Sequence, residues 1–231
     1  RVVKFYPDKL RDDYDVREST MAFFASRPAW AKQMLNGITK THAIEKSDVP
    51  DHTVRQIKLL GDEALSTECE RLWPGLNNTS AEQKNKIVDR VNNLLKSGVG
   101  NQQAGHPLFI AKCGTCHKLF DEGRSIAPDL TGYDRKNISD IVSNIVDPSA
   151  YIREGYGTWH LTTNDGRTVI GTLRARNDQS VTLQPFTGEP VIVASNKIKK
   201  LEAMETSMMP EKLLDGLNDQ QVRDLFSYIM K

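Results

Sequence analysis

Cys113 and Cys116 flank two residues, and His117 follows at once, in the run Cys113-Gly114-Thr115-Cys116-His117. Two thiols at this spacing can add to the vinyl groups on adjacent edges of a porphyrin. A histidine directly after the second thiol then lies under the ring and ligates iron. The chemistry indicated is covalent attachment of a single haem c. Two other chemistries share part of the pattern. A thioredoxin-like dithiol also uses C-x-x-C, but it needs a strand ahead of the motif in a βαβ frame, and the residues before Cys113 read as helix. A zinc site needs four ligands. Cys69 is available, but the chain has no second C-x-x-C.

An iron with both axial positions filled needs a partner for His117, usually Met or His. Met204, Met208 and Met209 cluster ahead of the last helical segment. A Met is ordinarily core filler, yet no helix or strand face explains three of them within six residues. Met209 leads because Pro210 stiffens the loop behind it. Met208, Met204, His160 and His106 stay open as alternatives, whereas His42 and His52 read as surface or satisfied polar positions. Beyond the motif lies Ala127-Pro128-Asp129-Leu130-Thr131-Gly132. The Pro128 carbonyl could accept from the free ring N–H of His117 and fix its orientation, or the segment is an ordinary Pro/Gly turn; spacing alone does not separate the two.

These residues need elements to hold them. Residues 1 to about 100 show helical periodicity and no strand alternation. Arg27-Pro28 opens a run with Trp30, Met34, Leu35 and Ile38, stopped near Gly37. Val54, Ile57 and Leu60 form a second, broken at Gly61, and Ala64 to Trp73 a third, ended by Pro74-Gly75. Asn77 to Ser80 is a loop and a cap. Lys84 to Lys96 then places Ile87, Val91, Leu94 and Leu95 on one face. No strict repeat period supports a solenoid over a bundle. Val99 to Gln103 reads as a linker, and a new unit runs from Ala104 to Lys231, its first helix ending at Cys113 with Pro107 in an opening turn. From 157 to 202 the pattern alternates. The turn signals Asp165-Gly166, Asn177-Asp178 and Thr187-Gly188 separate five short strands, a small antiparallel sheet or barrel. A final helix, capped by Asn218 or Asp219, carries Val222, Leu225, Phe226 and Ile229.

Lys plus Arg is 31 against 30 for Asp plus Glu, so the basic excess of a nucleic-acid binder is missing. A composition of 38% hydrophobic and 26% charged residues is that of a foldable chain. No run approaches the ~18 apolar residues of a membrane span. Three cysteines are too few for a disulfide-stapled fold. The chain opens at Arg1 with no signal-peptide pattern, and the expectation is a mature or excised piece of a longer protein.

From about residue 104 onward the chain resembles the haem-binding domain of the large c-type cytochromes of planctomycetes and verrucomicrobia. The resemblance rests on the Cys113–His117 motif, Pro128 to Gly132, Ile145-Val146-Asp147-Pro148-Ser149 and Gly155-Tyr156. It continues through Asp165-Gly166-Arg167 with Gly171, Ser207-Met208-Met209-Pro210, and Val222-Arg223-Asp224-Leu225 to Tyr228. One departure is Ala127, where the family usually has Gly. The resemblance implies Met209 as sixth ligand and a helical, sometimes HEAT-like, region over 1–100. The chain agrees in one respect: His117 and Met209 lie 92 positions apart (209 − 117), far more than a compact cytochrome c needs, and the five-strand segment accounts for the excess. The expected fold is mainly α, a class I cytochrome c-like core with a β insertion at about 157–202. Its core would comprise the helix ending at Cys113, the helix Asn137 to Val146 and the last helix. Gly105 and Phe109 would meet Phe226 and Tyr228.

The expected function is single-electron transfer through a His/Met-ligated haem, with no catalytic residues of its own. The resemblance implies a dehydrogenase as donor; a downstream cytochrome or oxidase would accept. Two alternatives stand beside it. Without Met ligation the iron would be five-coordinate, an enzyme or a gas or redox sensor, and His160 would matter. Otherwise haem is structural in an envelope binding module, with Trp159 and Tyr156 as stacking residues or, more simply, buried aromatic core. Because haem c is attached outside the cytoplasmic membrane, the expected location is the periplasm or cell envelope. Cys69 would be buried and unpaired, or paired between chains.

Overall fold

The structure, a computed structural model, describes residues 2–11, 13–76, 79–186 and 189–231. Parts of the expected loop at Asn77-Asn78 and of the turn at Thr187-Gly188 lie outside them. The described residues form nine α-helices and seven strands, a mainly helical chain with a small β part. Their apolar side chains gather into three clusters, each built by a different stretch of chain.

The first cluster is made by α1 (Val2–Phe5), α2 (Tyr14–Phe24), α3 (Pro28–Thr39), α4 (Asp51–Lys58) and α5 (Glu63–Leu72). In α3, Pro28 pre-sets the first turn and Ala31, Met34, Leu35 and Ile38 recur on one buried face. Gly37 does not stop this helix. It is buried inside it, and the chain turns instead at His42, whose φ of 51° is left-handed. Helix α2 was not foreseen. Asp13 caps it by accepting from the Val16 N–H.

Helix α6 (Ala81–Lys96) starts three residues before the expected Lys84, because Ser80 and Gln83 form a reciprocal capping box. It closes the second cluster, and so packs with α8 (Ile138–Val146) and α9 (Asp219–Ile229) instead of with α1–α5. A sequence division at residue 100 therefore separates α6 from the elements it packs against. The segment read as a linker is a fixed strap: Asn101 N–H donates to Asp224 Oδ1 at 2.7 Å, and the Val99 and Gly100 carbonyls accept from Gln220 and Ser227. Asn101 also caps α7 (Gln102–Lys112), so this helix starts earlier than expected and Pro107 falls in its interior. The missing N–H is tolerated because α7 packs on α9 more extensively than any other two helices pack together. At their crossing a Cβ on Gly105 would stand 1.9 Å from the Asp224 carbonyl oxygen, so only glycine permits the approach. Phe109 and Tyr228 meet there with ring centroids 5.4 Å apart. Phe226 is buried in the same cluster.

A two-residue ladder, β1 (Lys118–Leu119) with β2 (Glu122–Gly123), follows the cysteine motif; its shortness hides it from any alternation pattern. The insertion is a five-strand antiparallel sheet of β3 (Thr158–Thr163), β4 (Thr168–Arg176), β5 (Ser180–Gln184), β6 (Val191–Ala194) and β7 (Ile198–Met204), in the order β6-β5-β4-β3-β7. β6 and β7 are its two edges and do not pair, so it is an open sheet and not a barrel. Leu161, Val169, Val181, Leu183 and Val193 line one face, the third cluster. Its β3–β4 turn docks on the α2–α3 corner, where Arg27 pairs with Asp165 at 2.6 Å and Thr168 N–H donates to the Ser26 carbonyl at 2.8 Å. Among the described residues no helix is long and apolar enough to cross a membrane.

Candidate functional site

The cysteine motif continues the last turn of α7. Cys113 caps the helix by donating its N–H to the Phe109 carbonyl, and the N–H groups of Cys116 and His117 return to the Cys113 carbonyl at 3.1 and 2.9 Å. Both sulfurs are thus carried on one helical turn, and both are free thiols. Burial pushes the Cys113 thiol up to about 12 and raises that of Cys116. A redox dithiol wants the opposite shift. The element ahead of the motif is also a helix and not a strand, so a thioredoxin-like frame is not what carries these cysteines.

The segment after the motif wraps back over it. Arg124 N–H donates to the Gly114 carbonyl at 3.0 Å, and Ile126 and Ala127 both donate to Cys116, at 3.1 and 2.8 Å. Gly123, with φ of 89°, makes the return possible: a Cβ there would stand 2.2 Å from the His117 carbonyl oxygen. This wrap delivers Pro128 to the imidazole. His117 Nδ1 lies 2.8 Å from the Pro128 carbonyl oxygen. A carbonyl can only accept, so Nδ1 carries the hydrogen and Nε2 is left as the basic nitrogen. Burial lowers the His117 pKa, and the Pro128 contact opposes that only in part, so the ring is neutral near pH 7. Arg174 of β4 braces the same segment, donating to the Ile126 carbonyl at 2.6 Å.

The three methionines have different situations. Met204 is the last residue of β7, in register with Thr158, so a strand does account for it after all. Met208 is buried and Met209 half-buried. Met209 and Cys113 pack against the same second cluster, together with Leu108, Phe120, Leu130 and Tyr133. The loop around Met209 is tied down: its N–H donates to Ser207 Oγ at 3.1 Å, and Ser207 N–H donates to Ser149 Oγ at 3.1 Å. The two histidine alternatives differ, and the ring Nε2 of His160 is buried with no hydrogen-bond partner. His106 Nε2 meets Glu122, and His160 Nδ1 lies 3.6 Å from Glu202 across β3 and β7. Trp159 packs on the third cluster, and Arg174 lies over the Tyr156 ring. Cys69 is buried in the first cluster, where desolvation pushes its thiol up to about 11. It is therefore not brought to Cys113 and Cys116, and among the described residues no three His, Cys, Asp or Glu side chains converge as a metal site.

One group near the site has no sequence signal. Lys84 of α6 contacts Asp147 at 2.7 Å and Glu211 at 2.6 Å, joining the end of α8 to the residue after Pro210. No spacing rule connects these three positions. No family model matches the chain, and no curated protein matches it as a relative.

Proposed function

We propose that this chain is a monohaem c-type cytochrome unit that passes single electrons through an iron held by His117 and Met209. The observation that carries the reading is the contact between His117 Nδ1 and the Pro128 carbonyl. It commits one ring nitrogen to the protein and leaves the other, neutral and basic, for a metal. The remaining donors fit the same group. Cys113 and Cys116 offer two unpaired thiols on one turn, and Met209 offers a thioether against the apolar cluster that also receives Cys113.

In this reading Cys113 and Cys116 would hold a haem covalently, and His117 and Met209 would ligate its iron. When bound, haem supplies a one-electron couple whose potential Met ligation raises. The chain's own residues do the rest. Pro128 fixes the imidazole and increases its basicity, Arg174 holds the Pro128 segment, and the half-buried Leu108, Phe120 and Leu130 lower the local polarity. α7, α8 and α9 would be the class I cytochrome c-like core, with the five-strand sheet inserted before the methionine loop. The likeness to the planctomycete and verrucomicrobial cytochromes extends the reading to a dehydrogenase as donor, a downstream cytochrome or oxidase as acceptor, and the periplasm or cell envelope as location.

The test is a redox titration of the matured protein followed by exposure of the ferrous form to CO. The expected result is a one-electron transition, the long-wavelength Met–iron charge-transfer band in the ferric state, and no CO adduct. A ferrous protein that takes up CO at once, with no such band in the ferric state, would overturn electron transfer in favour of a five-coordinate centre.

A further inference from the structure

The loop that carries Met209 is pinned at both ends, and both pins lead to one side chain. At its start, Ser207 N–H donates to Ser149 Oγ at 3.1 Å, and Ser149 lies two residues past Asp147. At its end, Glu211 has both carboxylate oxygens engaged: Oε1 lies 2.6 Å from Lys84 Nζ, and Oε2 accepts from the Thr79 N–H at 2.9 Å. The Glu211 carbonyl also faces Arg55 of α4 at 3.4 Å. Lys84 holds Asp147 as well, at 2.7 Å. Its side chain is only 14% exposed and that of Glu211 18%. Lys84 and Glu211 are sheltered enough to be poorly screened, and removing Lys84 leaves the Glu211 carboxylate without its cation, whereas Asp147, at 34%, is more open to solvent. Exposed pairs are worth little by comparison.

We propose that Lys84 is the positioning residue of the distal ligand: by joining Asp147 to Glu211 it makes the packing of α6 a condition for Met209 to reach the iron. This rests on the Met209 ligation proposed above. Thr79, Lys84 and Arg55 all come from the helical stretch that precedes the cysteine motif. A partner or a neighbouring domain that displaced that stretch would therefore release the methionine and open the iron, without touching Cys113, Cys116 or His117.

The experiment compares matured wild-type, Lys84→Met, Lys84→Arg, Lys86→Ala and Met209→Ala proteins by haem content, the Met–iron band and CO uptake. Lys86 sits on the same helix in an exposed pair with Glu82, so it controls for charge on α6. Lys84→Met is expected to keep its covalent haem, to lose most of the band and to bind CO when reduced. Lys84→Arg restores the band, and Lys86→Ala never loses it. If Lys84→Met does not accumulate, Glu211→Gln makes the same cut from the other side and is read identically. A full band in whichever of these variants is obtained overturns the inference. A wild-type protein without the band, unchanged by Met209→Ala, fails the ligation reading itself and takes the inference with it.

Discussion

At the scale of single residues, the methionine loop makes the sharpest distinction. Met208 and Met209 are adjacent in a bend of the chain, yet their surroundings differ. Met209 shares its apolar cluster with Cys113, whereas Met208 is buried outside all three clusters. Met209→Ala should abolish the Met–iron band, lower the reduction potential and admit CO; Met208→Ala should leave all three nearly unchanged. Spectra and potentiometry on the two variants check this, and the reverse pattern would move the ligand to Met208. The cysteines separate in the same way. Cys113→Ala and Cys116→Ala should each impair haem attachment, read as haem stain after denaturing electrophoresis. Cys69→Ala, in a different core, should attach haem normally and show only a lower unfolding midpoint.

At the scale of elements, the α7–α9 crossing is the packing on which the cysteine turn stands. Gly105→Ala drives a methyl into the Asp224 carbonyl oxygen. A backbone atom cannot swing aside, so the cost should reach at least the ~1–3 kcal/mol typical of overpacking. Urea unfolding should show a lower midpoint at an unchanged slope. The β3–β4 turn supplies a pH signature. Hydrogen bonds from Thr163 and Arg27 hold the Asp165 carboxyl down to about 2 from its ordinary 3.8. A group depressed on folding stabilises the fold fully above its unfolded value, and that stabilisation fades as pH falls through the folded value. Wild type should therefore outlast Asp165→Asn in thermal melts at neutral pH, with the two converging between pH 3.8 and about 2; a constant gap across that window would contradict the assignment.

Much at this scale was legible because it is local in sequence. Strand alternation, the Asp165-Gly166 turn, the Ser80 cap and the spacing around Cys113 each need only a few neighbouring residues. What was not legible depends on partners far along the chain. The capped start of α7 overrides a proline, the face of α6 chooses the second cluster over the first, and β6 stays unpaired with β7. Lys84 meets Asp147 and Glu211 only once α6, α8 and the methionine loop have come together.

At the scale of the whole molecule, the three apolar clusters are joined by polar ties that converge on the site. Arg27 and Ser26 hold the tip of the sheet, Arg174 carries the sheet to the segment of Pro128, and Lys84 with Thr79 carries the helices to the loop of Met209. The Pro128 segment and the Met209 loop are thus each braced by a different part of the fold. The proposed electron transfer requires a haem held covalently by Cys113 and Cys116. The most direct measurement is the pyridine haemochrome spectrum and intact mass of the chain after c-type maturation. One haem per chain is expected, retained through acid-acetone extraction and mapped to the peptide bearing Cys113 and Cys116. Colourless protein, or haem that extracts freely, would contradict it.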